Sequence, residues 1–281
     1  MARILVVTDS TCDLPAEWIR QYDIRIVPTY VQFGQESFAD DGVQITRTEF
    51  YHRMVSSPFH PTTAAGSVGE TSEAMARALN DADHVIGITA AAQLSGLFNT
   101  FRLAAEDTDP ARVTLIDSRQ TSMGLGWQVY VAASMAQAGA SVETITLRIQ
   151  RMQPFIEVYA ALDTMEHLRR SGRVGWATAV MGNLFQIKPI VSLHEGVVSS
   201  VARVRTSHRL FEALVELAHH LAPFDYLAIM HTVNPNGAQR LRDALADIRP
   251  ETPVPIVDAT PVLGVHVGPN GIGLGIVRKI T

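Results

Sequence analysis

Ser95 and Gly96 sit where an apolar run from Val85 to Ile88 gives way to small residues, and then to Leu94, Leu97, Phe98 and Phe101 at helical spacing. This is the pattern of a strand running into a helix N-terminus. The first N–H groups of a helix have no internal partner and carry positive partial charge, so small residues with a free hydroxyl there can receive an anion. Ser95 can equally be an N-cap and nothing more, because serine is among the commonest caps. Two further loops share this small, hydroxyl-bearing character: DSTCD at 9–13 and TTAAGS at 62–67.

Autonomous catalytic machinery is not visible beside these loops. The chain has no G-x-x-x-x-G-K-[ST] phosphate loop, and Gly66-Ser67-Val68-Gly69 has the wrong spacing for a nucleophile elbow. The glycines at Gly124/Gly126 and Gly271/Gly273/Gly275 lack the dinucleotide fingerprint. Ten histidines include no H-E-x-x-H, His219-His220 reads as exposed or packed on a helix, and the acidic residues form no magnesium-type cluster.

The elements that must position the loops alternate. Ile4 to Thr8 reads as a strand, and Asp13 before Leu14-Pro15, with Glu17 following, opens a helix through Trp18 and Ile19. Ile24 to Phe33 reads as a second strand, and 34–42 is turn-rich. Thr46/Glu49 and Ser67/Glu70 are capping boxes that open two helices, with SSPFHPTTAAG as a loop between them. Val113 to Ile116 is another strand, and Trp127 to Ala136 an apolar helix. Such alternation predicts an α/β domain with a mainly parallel sheet and helices on both faces. Ligands of these sheets bind at the carboxyl ends of strands, where DSTCD, TTAAGS and AAAQLSG would converge.

Near residue 150 the pattern changes. Phe155 to Leu162, Ile187 to Leu193 and Val197 to Val204 read as strands, the last two joined by a tight turn at Glu195-Gly196. Helical patterns at Arg209 to Leu221 and Ala238 to Ile248 then alternate with strands at Tyr226 to Met230, Pro255 to Val257 and Ile272 to Val277. The expectation is an N-terminal α/β domain over 1–154 and a C-terminal α+β domain over 155–281 with a mainly antiparallel sheet. No repeat or low-complexity linker separates them, so a deep site between closely packed domains is expected.

Composition bounds the function classes. The net charge of -5 and a pI near 6.0 argue against a nucleic-acid partner. Cys12 is the single cysteine, which excludes an internal disulfide and a Cys-rich zinc site and fits a reducing cytoplasm. The N-terminal apolar run is too short for a signal peptide, and no window approaches 18 uninterrupted apolar residues, so a soluble chain is expected. With 47% apolar but only 7% aromatic residues the interior is largely aliphatic, which suits an alkyl ligand and an ordinary core equally.

Eight segments in order carry a resemblance: DSTCDLP at 9–15, DGVQITRTEFYHRM at 41–54, PTTAAGSVGE at 61–70, LSG at 94–96, IDSRQTSMGLG at 116–126, TMEHLRRSGRVG at 164–175, VRT at 204–206 and GVHVGPNGIGL at 264–274. In these the chain resembles the DegV family of bacterial fatty-acid-binding proteins, some of which are the acyl-carrying subunit of a two-component fatty acid kinase. The resemblance implies a two-domain α/β fold with the acyl chain in a tunnel and its carboxylate held by a hydroxyl residue in each of two loops. By that likeness the carboxylate residues are Thr63, Ser95 and His266, and Arg205 of VRT supports phosphoryl transfer near the head group.

Physical chemistry accommodates this. A carboxylate taken out of water needs donors, which two hydroxyls, helix N–H groups and an imidazole can supply. A dozen buried methylenes would contribute roughly 10 kcal/mol before ordering costs. The segment Ala177 to Leu193, with Val180, Met181, Leu184, Phe185 and Ile187, offers adaptable apolar side chains for a tunnel or for the core.

The chain departs from the family at both loops. Thr63-Ala-Ala-Gly-Ser67 stands where Thr-Ser-Gln-Pro-Ser is common, and Ala91-Ala92-Gln93-Leu94-Ser95-Gly96-Leu97 where Ser-Ser-x-Leu-Ser-Gly-Thr is common. Hydroxyls are lost while Thr63 and Ser95 survive, which leaves open a different acid or an altered water network. The arginines of HLRRSGR at 167–173 read either as a solvated turn or as a contact for an anionic partner or membrane head groups.

The expectation is therefore a non-catalytic carrier with a bound long-chain fatty acid as ligand and no cofactor or metal, partnered by a kinase catalytic subunit. The alternatives are a self-sufficient transferase or hydrolase for a small carboxylated or phosphorylated substrate, and a lipid sensor without a kinase.

Overall fold

Residues 2–173 and 187–280 are described by the computed structural model. Val180, Met181, Leu184 and Phe185 of the apolar segment lie outside the described residues.

The N-terminal half runs β1 (Ile4–Asp9), α1 (Ala16–Gln21), β2 (Arg25–Val27), β3 (Tyr30–Phe33), β4 (Glu36–Ala39), α2 (Arg47–Ser56), β5 (Thr62–Ala64), α3 (Val68–Asp81), β6 (His84–Thr89), α4 (Leu97–Asp107), β7 (Val113–Asp117), α5 (Ser122–Gln137) and α6 (Val142–Met152). Strands β2-β1-β6-β7 form one sheet with all neighbours parallel. Its aliphatic strands are buried on both faces. Leu5, Val7 and Val85 pack with Met75 of α3 and Phe101 of α4, while Val6, Ile86 and Ile88 pack with α5 and α6.

Proline breaks the second expected strand. Pro28 has no N–H to give a ladder, and the segment read as one strand divides there into β2 and β3, which enter different sheets. Strand β3 centres a small antiparallel sheet, β4-β3-β5. Both of its flanking strands fall in segments read as turn or loop. The pairing of Thr63 with Val31 gives the TTAAGS segment a fixed register.

The C-terminal half runs β8 (Ile156–Ala161), α7 (Glu166–Ser171), β9 (Lys188–His194), β10 (Val197–Val204), α8 (Ser207–Leu221), β11 (Phe224–His231), α9 (Pro235–Ala244), β12 (Ile256–Asp258), α10 (Pro261–Val267) and β13 (Ile272–Arg278). Its sheet has the order β10-β9-β8-β13-β11-β12 and is antiparallel except between β11 and β12. Glu195 and Gly196 make the expected tight turn with φ of 46° and 79°, the left-handed geometry that matches strand twist.

Helix α5 joins the halves. The Trp127 Nε1–H donates to Gly275 O at 2.9 Å, and a Cβ on Gly275 would fall 2.6 Å from Met123 Cβ, so only glycine lets β13 approach this closely. One aliphatic cluster accordingly runs from Val6 and Ile88 to Val158 and Val277.

Candidate functional site

The carboxyl ends of β1 and β6 and the neighbouring β5 carry the three polar loops, and short hydrogen bonds fix them. Asp9 Oδ1 accepts from Thr11 N at 3.0 Å and Thr11 Oγ1 at 2.5 Å, while Asp9 Oδ2 accepts from Ala90 N at 2.8 Å. Asp117 Oδ1 accepts from Ala92 N at 3.2 Å and from Arg119 N at 2.9 Å. These carboxylates order loops, and they bring DSTCD and AAAQLSG side by side.

Above the loops lies a cavity of about 550 Å³, within the range of small-molecule sites. Thr63, Ser95 and His266 all line it, together with aliphatic side chains that include Val158, Val191 and Leu193 from the C-terminal sheet. Arg205 does not. It is exposed, one residue past the end of β10, and the structure does not bring it to the other three.

Availability of the lining groups differs. Thr11 is committed to Asp9, and the Thr29 hydroxyl shares a 2.6 Å hydrogen bond with Ser10 Oγ. Ser95 Oγ accepts from Leu97 N at 3.3 Å, which leaves its proton free to donate. Gly96, not Ser95, is the N-cap of α4, so Ser95 stands just outside the first turn. The Thr63 backbone is held in β5 while its hydroxyl takes no partner among the described residues.

His266 comes from α10, a helix of seven residues that the sequence reading passed over. Its signal was Thr260-Pro261, an N-cap residue followed by proline at the first helical position. Two N-terminal-half carboxylates seat this helix: Thr260 N donates to Asp13 Oδ1 at 2.9 Å and Val262 N to Asp40 Oδ2 at 3.4 Å. Ser122 Oγ donates to Asp13 Oδ2 at 2.5 Å. Burial pushes Asp13 up to about 7 and Asp40 up to about 6. His266 Nδ1 is buried and unpartnered among the described residues. Burial, with Arg173 and His60 adding positive charge, pushes His266 down to about 4, so the ring is neutral near pH 7.

Two further lining residues are not assigned to the cavity by the sequence. Thr121 is the N-cap of α5 yet makes no side-chain capping bond, which adds an uncommitted hydroxyl. Arg173 reaches the wall and donates through Nη1 to Ser171 O at 2.7 Å, whereas Arg169 and Arg170 pair with Glu166 on the exposed side of α7. Among the described residues no group of three or more His, Cys, Asp or Glu is placed to hold a metal ion. No described helix is long and apolar enough to cross a membrane.

A parallel and a mainly antiparallel sheet, with a largely aliphatic cavity walled by both and a few free donors on it, define a two-domain α/β protein built around a binding chamber. The family model described as "Uncharacterised protein, DegV family" matches residues 3–279, and the chain belongs to the DegV family. A DegV domain-containing protein of Deinococcus radiodurans is 32% identical over 97% of this chain and 98% of its own length. Among solved structures, a fatty-acid-binding DegV family protein of Thermus thermophilus superposes with a TM-score of 0.90 at 29% identity, covering 99% of this chain and 100% of that one. A stearic-acid-binding protein of Eubacterium ventriosum superposes with a TM-score of 0.85 at 25% identity, covering 100% of this chain and 99% of that one.

Proposed function

We propose that the chain binds a long-chain fatty acid in the cavity, with the carboxylate held by Thr63, Ser95 and His266, and presents it to a separate kinase subunit that forms the acyl phosphate. One observation carries this reading: among the described residues, Thr63, Ser95 and His266, from segments far apart in sequence, each keep a group free for a ligand and line one largely aliphatic chamber. The names of the Thermus and Eubacterium neighbours support the ligand class. In this reading the halves divide near residue 154, the aliphatic wall supplies most of the affinity, and the donors set the direction of the chain.

In this reading the chain is a cytoplasmic carrier that holds and presents the acid, and the phosphoryl-transfer chemistry belongs to the separate kinase subunit. The exposed Arg205 belongs to this proposal as a contact for the incoming phosphoryl donor. Transient contact of Arg173 and its neighbours with anionic lipid head groups belongs to it as well.

The test is Thr63→Ala combined with Ser95→Ala. Hydrogen bonds to a charged group contribute about 1.5–3 kcal/mol each, so the double variant should bind fatty acid at least about 100-fold more weakly. Native mass spectrometry and circular dichroism should show a folded protein that has lost its lipid. A double variant that keeps its lipid undiminished would exclude these residues as the carboxylate site. Acyl phosphate formed by the isolated chain from ATP would favour the self-sufficient enzyme instead.

A further inference from the structure

A second space of about 90 Å³ lies against the first, and the two share part of their lining: Thr121, Val158, Ala160, Leu263 and Val267 face both. Its far side is closed by Ala259, Met230 and the start of β13. At about 30 Å³ for a water-sized group, it accommodates roughly three.

The polar side chains around it are largely committed elsewhere. Ser122 Oγ donates to Asp13, Thr232 Oγ1 accepts from Gly271 N at 2.8 Å, and His231 turns Nδ1 toward Asp258 Oδ1 at 3.2 Å. Thr121 has a hydroxyl uncommitted among the described residues, but it sits on the shared wall. A buried water takes two to four polar partners, so this pocket suits hydrocarbon better than water.

We infer that this side pocket receives acyl carbons that leave the axis of the main cavity. The chain therefore favours fatty acids with a cis double bond or a methyl branch over straight saturated ones. This deepens the proposed fatty-acid-binding function and rests on it. Leu263 and Val267 sit on the same helix as His266, so the element that meets the head group also shapes the tail path.

Ala259 faces the side pocket alone, and Ala259→Leu fills it without touching the main cavity. Delipidated full-length protein is equilibrated with equimolar stearic, oleic and anteiso methyl-branched acids, and the bound acids are released and quantified. The wild type should prefer oleic or branched acid over stearic by about tenfold, the factor expected for roughly two additional buried methylenes. Ala259→Leu should abolish that preference while still binding stearic acid. A drop in the oleic acid ratio alone assigns the pocket to a kink, and a drop in the branched acid ratio alone assigns it to a branch. Ala259→Val makes the same test with less added volume if the leucine variant does not fold. Preferences unchanged in a folded variant that still binds fatty acid would overturn the inference and leave the proposed function standing. A wild-type chain that takes up none of the acids would overturn the proposed function itself.

Discussion

At the residue scale, commitment to other protein groups separates the lining residues more sharply than position does. Thr11 and Thr29 reach the cavity yet spend their hydroxyls on Asp9 and Ser10, whereas among the described residues Ser95, Thr63 and His266 retain a free group. Without lipid His266 is held down near 4, chiefly by burial. A bound carboxylate adds an opposite charge that favours the protonated ring. Proton-detected NMR should therefore find His266 titrating near 4 without lipid and shifting upward, toward or past its ordinary 6.5, with fatty acid bound. An unmoved value would place the carboxylate elsewhere. In the lipid-free protein the depressed value means that this ring's contribution to stability is lost as pH falls from 6.5 toward 4. The hydroxyl loops were legible because small polar residues between apolar runs carry a local signal. Which of those hydroxyls remain free was not, since commitment depends on partners such as Ser10 for Thr29, which lie 19 residues apart.

At the element scale, the site depends on how α10 is seated. Its seven residues are too few to show periodicity, and its anchor, Asp13, lies 247 residues from Thr260, so neither the helix nor its clamp was legible beyond the Thr-Pro start. The same limit hid β5, a three-residue strand whose pairing with β3 orients Thr63. The longer strands and the alternation of the first half were legible because buried β-branched runs and capping residues report locally. Ser67 and Glu70 indeed form a reciprocal capping box at the start of α3. Asp13→Ala leaves Thr260 N–H without its acceptor and Ser122 Oγ with only Met230 Sδ at 2.9 Å, and should cost about 1–3 kcal/mol in urea unfolding, with weaker lipid retention. Asp13→Asn keeps an acceptor for Thr260 and removes the charge. Because burial raises Asp13 from 3.8 to about 7, its carboxyl favours the fold when protonated. That contribution is fully present below 3.8 and is lost as pH rises through about 7. The Asp13→Asn variant should therefore gain stability relative to wild type as pH is raised from 3.8 to about 7, and hold that gain above it. A pH-independent difference would show that Asp13 does not titrate in this range.

At the scale of the whole molecule, the chamber exists only where both halves contribute a wall. Thr63 and Ser95 come from one, Val191, Leu193 and α10 from the other. The junction is a continuous aliphatic core closed by α5, with Gly275 and Met123 in contact too close for any side chain at 275. Cutting the chain near residue 154 would expose that core. The intact chain should therefore unfold in one transition, with far-UV circular dichroism and indole fluorescence coinciding, since Trp127 donates across the junction. A ligand held by both walls binds the folded chain and not the unfolded one. Fatty acid at about 100 times its Kd should add about 2.7 kcal/mol and raise Tm by roughly 5 °C, with both probes still coincident. Two separated transitions, with lipid moving only one of them, would mean that the chamber is built by one half and that the junction is a contact between independent units.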